Sequence, residues 1–111
     1  MERVAFVMHV KKGQEAEYVR RHREVWPQVL ADLERAGVEQ MNIFMTGRQL
    51  FLYMEVDDYA EAARILGECP ESVRWEAYME PIMEDAGGQD YDPENPYPDS
   101  LPEVFFWSKG A

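Results

Sequence analysis

The alternation of apolar and polar side chains along the chain predicts three long β-strands. Residues 3–10 are dense in β-forming side chains with apolar residues on both faces, as in a strand that is covered on both sides. Residues 38–46 and 49–56 are two further runs separated by Gly47 and Arg48, a short hairpin signal. The order is therefore one strand, a helical region and then a hairpin.

A helical repeat fills the region between the first strand and the hairpin. From Tyr18 to Leu33, apolar, aromatic and histidine side chains recur every three or four residues, which places them on one face of a helix that begins near Glu15. Pro27 lies inside this stripe. Because proline removes a backbone donor and clashes with the preceding turn, we expect a kink or a restart near Trp26.

The second half of the chain is expected to hold two helices, an irregular arm and a last strand. Residues 58–67 predict a short helix capped by Asp58, and a further helix is expected over residues 70 to about 83. Residues 84–102 are rich in Pro, Gly and Asp and predict an extended arm with little regular structure. The aromatic segment 103–108, EVFFWS, is predicted to be the last strand.

This order of elements, βαββαβ, indicates a single α+β domain over residues 1–111 with a ferredoxin-like arrangement. In that module a four-stranded antiparallel sheet carries its helices on one face. The other face here would display large apolar side chains, a larger exposed patch than a monomer normally carries. We therefore expect a homodimer in which two sheets face each other or close into a shared α+β barrel, with the arm carrying the last strand onto the partner.

Composition and charge narrow the classes of function. Acidic residues outnumber basic ones 22 to 11 and the net charge is −11, which argues against nucleic-acid binding. The apolar runs are too short to cross a bilayer, and the first ten residues lack the apolar core of a signal peptide. The single cysteine, Cys69, can form no internal disulfide, which favours a reducing compartment. We expect a cytoplasmic protein with no nucleic-acid or membrane partner.

Two histidines, His9 and His22, are the best candidates for proton transfer near neutral pH. His22 lies one helical turn after Tyr18, and Trp26 extends that line by another turn if the kink permits. A hydroxyl, a proton-transferring ring and a flat aromatic surface in one row suit a neutral, polyhydroxylated ligand. From the residues alone, a structural role is favoured for both histidines, and more strongly for His9 than for His22.

The sequence also limits cofactor chemistry. Two histidines and one cysteine at unrelated spacings make no metal-ligand cluster, and the chain has no phosphate-binding glycine loop or nucleophile elbow. We expect neither a metal nor another cofactor. On the last predicted helix, Trp75 is a candidate for contact with the apolar face of a sugar or for simple packing, and Glu76 is either a pocket carboxylate or an exposed one.

Several segments of the chain resemble the L-rhamnose mutarotase family. They are AFVM at residues 5–8, EYVRRH and VWP at 17–22 and 25–27, RW and YM at 74–75 and 78–79, and LPEVFFW at 101–107. The resemblance implies a dimeric α+β barrel that interconverts the anomers of a 6-deoxyhexose. It also implies that His22 is the proton donor and that Tyr18 and Trp75 contact the sugar.

Two positions depart from the family pattern. The family usually has tyrosine at the position of Met41 and a second tryptophan at the position of Glu76, so a hydrogen-bond donor and a stacking ring are replaced by a thioether and a carboxylate. Both residues are expected to contact the substrate, and the changes leave open whether it is L-rhamnose or a relative such as L-fucose. Glu76 is expected to be either a second acid/base group or a specificity clamp on an extra hydroxyl.

The expected reaction opens the cyclic hemiacetal, rotates the aldehyde and recloses the ring, with His22 transferring one proton as a general acid/base. Two other functions stay open at this stage. Dimeric barrels of this kind also host cofactor-independent monooxygenases and haem-binding enzymes, and fold alone does not determine function. A non-catalytic dimeric binding module is the second alternative.

Overall fold

Three long strands and one very short strand form a single antiparallel sheet. The computed structural model describes residues 1–85 and 87–110. The sheet contains β1 (Glu2–Val10), β2 (Val38–Thr46), β3 (Gln49–Val56) and β4 (Met83–Glu84), hydrogen-bonded in the order β2-β3-β1-β4. The predicted bounds of the three long strands are confirmed, with β1 beginning one residue earlier than expected.

Four α-helices connect these strands. They are α1 (Glu15–His22), α2 (Pro27–Arg35), α3 (Tyr59–Glu68) and α4 (Pro70–Met79). The predicted break near Trp26 is confirmed, because α1 stops at His22 and α2 restarts with Pro27 in its first turn, where a missing N–H costs little. Asp58 caps α3 by accepting a hydrogen bond from the Glu61 N–H at 3.1 Å. The last helix is shorter than predicted, since the chain turns into a 3₁₀ segment at Glu80–Ile82 that contains Pro81.

The alternation of side chains divides the sheet into a covered face and an open face. The covered face carries every second residue of β1 from Val4 onward and of β3 from Leu50 onward, all of them buried: Val4, Phe6, Met8, Val10, Leu50, Leu52, Met54 and Val56. Met41, Ile43 and Met45 of β2 pack against the same core. On the open face, Phe44 and Phe51 are paired across the hairpin and are 61% and 41% exposed. The open face is therefore apolar at its centre.

The segment that follows β4 is irregular and returns to the sheet and to the helices. Tyr91 packs into the core, and the Tyr59 hydroxyl of α3 donates to the Pro98 carbonyl at 2.6 Å. Farther on, the Leu101 N–H donates to the Ala5 carbonyl at 2.7 Å. The arm, residues 84–102, thus connects β4 to the edge of β1 by way of the helices.

Residues 103–108 are not paired as a strand within the part of the chain that the structure describes, so the last strand, expected on a partner's sheet, stays a prediction. β4 pairs only with His9 and Val10 of β1, and farther along the same edge the Leu101 N–H donates to the Ala5 carbonyl. Arg3 holds the segment with two 2.8 Å hydrogen bonds to Glu103 and lies 3.7 Å over the Phe106 ring. The remaining side chains are exposed, with Val104 at 95% and Trp107 at 71%.

No helix in the two described stretches is long and apolar enough to span a membrane.

Candidate active site

A cavity of about 330 Å³ lies between the covered face of the sheet and the helices. The sheet contributes an apolar floor made of Met8, Met41, Ile43 and Leu52. Polar side chains come from α1, α4 and the arm, and they are Tyr18, His22, Ser72, Glu76, Tyr91 and Tyr97. α2 adds the apolar side chains of Val29, Leu30 and Leu33, so the lining is mainly apolar with a few polar groups. A volume at the lower end of the range for ligand sites with such a lining suits a small amphipathic molecule.

His22 lies at the last position of α1 and lines this cavity. Its ring stacks on Tyr18, one turn earlier, with centroids 4.2 Å apart, and its Nδ1 lies 3.1 Å from the Tyr18 carbonyl oxygen. Because a carbonyl can only accept, Nδ1 must carry the proton, which leaves Nε2 of the neutral ring as the proton acceptor. Burial lowers the pKa of His22, and the bond to the Tyr18 carbonyl partly opposes that shift.

Trp75 contacts the catalytic candidate from the facing helix, α4. Its ring meets His22 edge-on at 5.5 Å and meets Trp26 edge-on at 5.2 Å. Trp26 stacks in turn on Tyr78 of α4 at 5.4 Å. The row of aromatic rings that was expected to run along one helix therefore passes from α1 to α4. Trp75 lines the cavity and Trp26 supports it from behind. The aromatic packing thereby fixes the orientation of the His22 and Trp75 rings.

Tyr18 is 5% exposed and also lines the cavity. Burial, followed by the negative charge of Glu76, raises the pKa of its hydroxyl above the ordinary value. The phenol therefore stays protonated at physiological pH and serves as a fixed hydrogen-bonding group. Met41 lies on the floor of the same cavity, in register with Met54 of β3. The structure thus brings together Tyr18, His22, Met41, Trp75 and Glu76, the five residues named from the sequence.

Glu76 lies on α4 next to Trp75, lines the cavity and is half-buried. Its carboxylate accepts a hydrogen bond from the Tyr91 hydroxyl with an O–O distance of 2.5 Å. Burial raises the pKa of Glu76 to about 7, while the Tyr91 bond acts to lower it. This carboxyl group therefore exchanges protons in the neutral range, where ordinary glutamates are fully ionised.

Sequence reasoning missed two cavity residues, Tyr91 and Tyr97. Both lie in the arm, whose Pro, Gly and Asp content predicted only an extended connection. Burial raises the pKa of both hydroxyls, so both remain neutral donors beside Glu76. The only available signal was the presence of two large aromatic residues in an otherwise polar segment, which is typical of a segment that packs onto a domain.

The other histidine, His9, has a structural environment. It lies on β1, away from the main cavity, and its Nδ1 lies 3.1 Å from the Asp85 carbonyl oxygen. This hydrogen bond ties the start of the arm to the sheet. Of the two histidines, the cavity contains only His22.

Comparisons with known proteins point to one family. A family model described as L-rhamnose mutarotase matches residues 3–106. An L-rhamnose mutarotase of Opitutus terrae is 45% identical over 75% of this chain and 81% of its own length, and one of Listeria monocytogenes is 37% identical over 96% and 98%. An L-fucose mutarotase of Xanthomonas campestris is 41% identical over 71% of this chain and 69% of its own.

A solved structure extends the agreement to three dimensions. The crystal structure of an L-rhamnose mutarotase from Formosa agariphila superposes with a TM-score of 0.75 at 30% identity, over 97% of this chain and all of the other. The family model alone covers most of the chain. The chain therefore belongs to the L-rhamnose mutarotase family, a family of anomer-interconverting isomerases.

Proposed function

We propose that this protein is a cytoplasmic mutarotase that interconverts the α and β anomers of L-rhamnose or of a related 6-deoxyhexose such as L-fucose, with His22 as general acid/base. The observation that carries the proposal is the position of His22, whose Nδ1 is engaged by the Tyr18 carbonyl while its ring lines a sugar-sized cavity. The relatives named above supply the two candidate sugars.

The mixture of apolar and polar groups that line the cavity favours a deoxyhexose. Such a sugar has one methyl group and several hydroxyls, and its two sides therefore have different polarity. The apolar floor formed by Met8, Met41, Ile43 and Leu52 would receive the methyl side. The hydroxyls would meet the polar groups of α1, α4 and the arm. Trp75 would hold the ring in place, and Tyr18 would orient one hydroxyl.

The mechanism moves two protons and forms no covalent intermediate. Nε2 of neutral His22 accepts the proton of the anomeric hydroxyl, the C1–O5 bond breaks, and the ring oxygen gains a proton. After the aldehyde rotates about the C1–C2 bond, the reverse transfers close the ring on the other face. A lowered pKa keeps His22 largely neutral at pH 7, which is the form that accepts the first proton.

Anomer exchange measured by NMR saturation transfer tests this proposal. We expect exchange of L-rhamnose or L-fucose above the spontaneous rate, and a fall of about 10²–10⁴-fold in the His22→Ala variant. His9→Gln is the matched control, because it changes the other histidine and keeps a donor for the Asp85 carbonyl. Exchange that is absent with every deoxyhexose, or that persists in His22→Ala, would refute the assignment.

We also propose that the working enzyme is a homodimer built on a ferredoxin-like module. The antiparallel order β2-β3-β1-β4 with intervening helices supports the module. The exposed Phe44 and Phe51 on the open face, and the exposed aromatic segment 104–107 beside it, support the dimer. In such a dimer, residues 103–108 would pair as a strand with the partner's sheet.

A further inference from the structure

We propose that Glu76 is the second proton-transfer group of the reaction and that Tyr91, from the arm, is the positioning residue that holds its carboxyl. This inference rests on the proposed mutarotase function and assigns the group that exchanges a proton with the ring oxygen. Of the two roles that the sequence left open for Glu76, it selects acid/base catalysis over a specificity clamp.

The geometry places Glu76 in the same cavity as His22 but on the opposite helix. His22 ends α1 and Glu76 lies on α4, where the preceding residue, Trp75, contacts the histidine ring. One Glu76 oxygen is held by the Tyr91 hydroxyl at 2.5 Å, and no Arg or Lys is among the described residues that line the cavity. The carboxyl group is therefore fixed by a neutral donor, and no cation holds it permanently ionised.

Ring opening requires a proton acceptor for the anomeric hydroxyl and a proton donor for the ring oxygen at the same time. Neutral His22 takes the proton from the anomeric hydroxyl while protonated Glu76 gives its proton to the ring oxygen as the C1–O5 bond breaks. After rotation of the aldehyde, the Glu76 carboxylate takes the proton back from the O5 hydroxyl. The imidazolium of His22 then returns its proton to the oxygen on C1. Both groups end in their starting forms, so no co-reactant is needed.

His22 and Glu76 are in the active form when the two side chains together carry one exchangeable proton, with His22 neutral and Glu76 protonated. Burial lowers the pKa of His22 and raises that of Glu76 to about 7, which brings the two close together. The other titratable groups around Glu76 are the neutral phenols of Tyr18, Tyr91 and Tyr97, the exposed Glu94 of the arm, and Asp32, which lies behind Ser72 on α2. Among the described residues around Glu76, those of the sheet and of α3 contribute no titratable group. Activity should therefore follow a bell-shaped curve in pH, with macroscopic pKa values that belong to the pair.

Two variants and one control test the assignment by exchange rates measured from pH 5 to 9, with the uncatalysed rate subtracted. In Glu76→Gln we expect kcat to fall by about 10²-fold or more, with little change in KM, because glutamine accepts the Tyr91 bond but transfers no proton. In Tyr91→Phe we expect retained activity with the alkaline limb moved to higher pH, because loss of the hydrogen bond lets the pKa of Glu76 rise further. Glu80→Gln, at an exposed carboxylate just beyond α4, should leave the whole profile unchanged.

The outcomes separate this inference from the proposed function. If the wild type accelerates exchange and His22→Ala abolishes it, the function stands. An unchanged kcat in Glu76→Gln, or a change in KM alone, would then overturn the role of Glu76 in proton transfer. A Tyr91→Phe profile whose alkaline limb stays in place would overturn the positioning role of Tyr91. If the wild type itself gives no acceleration, the proposed function has failed first.

Discussion

Met41 brings a thioether to the cavity floor at a position where the family resemblance implies a tyrosine. The side chain is half-buried and packs against the core, so it contacts a ligand through dispersion and offers only a weak acceptor. A sugar hydroxyl above Met41 must find its partner elsewhere. The side chain at this position is therefore well placed to decide which deoxyhexose binds better.

Restoring the hydroxyl should change affinity more than turnover. We expect Met41→Tyr to lower KM for L-rhamnose by about fivefold, since one net hydrogen bond contributes about 1 kcal/mol, with kcat nearly constant. Met41→Phe is the control, because it adds the ring without the hydroxyl. Steady-state exchange kinetics on L-rhamnose and L-fucose check both variants. Equal gains in the two variants would show that ring packing, and not the hydroxyl, is responsible.

The positions of the site residues were predictable from the sequence where those residues follow the repeat of a single helix. Tyr18 and His22 are four residues apart on a helix, and that spacing alone puts them in contact. Trp75 and Glu76 were candidates from their residue types on the last predicted helix, but a structural role stayed open for each until the family pattern was considered. Tyr91 was not predictable, because its position depends on the path of an irregular arm, and periodicity is not informative there. The hydrogen bond between Tyr91 and Glu76 joins residues 15 apart and needs the folded chain to be seen.

Helix α4 carries Trp75 and Glu76, and a buried carboxylate fixes it against α2. Asp32 is 2% exposed and accepts hydrogen bonds from Ser72 of α4 at 2.8 Å and from Gln28 at 3.0 Å. The Gln28 bond, with help from Ser72 and Arg35, lowers the pKa of Asp32. A buried charge with several partners defines one arrangement of the two helices. The position of the cavity wall thus depends on a residue outside the cavity.

Replacing this carboxylate should destabilise the fold in a pH-dependent way. We expect Asp32→Asn to cost about 1–3 kcal/mol at pH 7, because at least one buried donor loses its acceptor. A depressed folded pKa stabilises the protein above the unfolded value of about 3.9, and this contribution is lost as the pH falls through the folded value. The loss of stability caused by Asp32→Asn should therefore be smaller at pH 3 than at pH 7. Urea unfolding at both pH values, with the exposed Glu34→Gln on the same helix as control, measures it. A pH-independent deficit would contradict a role for the charge.

The ends of the strands and helices were predicted correctly where the local sequence pattern is strong. β2 and β3 combine period-two alternation with a Gly47 turn at a positive φ of 57°, and both strands match the prediction. The end of α4 was placed too late because its apolar spacing continues beyond Met79, whereas Pro81 changes the backbone to a 3₁₀ turn. The short strand β4 forms from only Met83 and Glu84, which carry no strand pattern of their own. Tertiary pairing with β1 alone creates it.

The open face of the sheet and the C-terminal segment are best understood at the level of two chains. Phe44 and Phe51 form an exposed apolar pair, and the segment 104–107 adds four exposed apolar side chains beside Arg3. The net charge of −11 per chain opposes association, so apolar burial must exceed this repulsion. Since salt screens repulsion between exposed charges, we expect the proposed dimer to be tighter at higher ionic strength.

Removing residues 102–111 should convert the proposed dimer to a monomer while leaving each domain folded. The reason is that the segment contacts its own domain mainly through Arg3, by the Glu103 ion pair and the Phe106 contact, so its loss exposes little of the core. Sedimentation velocity at micromolar concentration measures the assembly, and circular dichroism checks the fold. Glu103→Gln is the milder control, because it weakens the ion pair and keeps the aromatic side chains, and it should remain dimeric. A full-length protein that sediments as a monomer would reject the dimer itself. A truncated protein that stays dimeric would assign association to Phe44 and Phe51 on the open face.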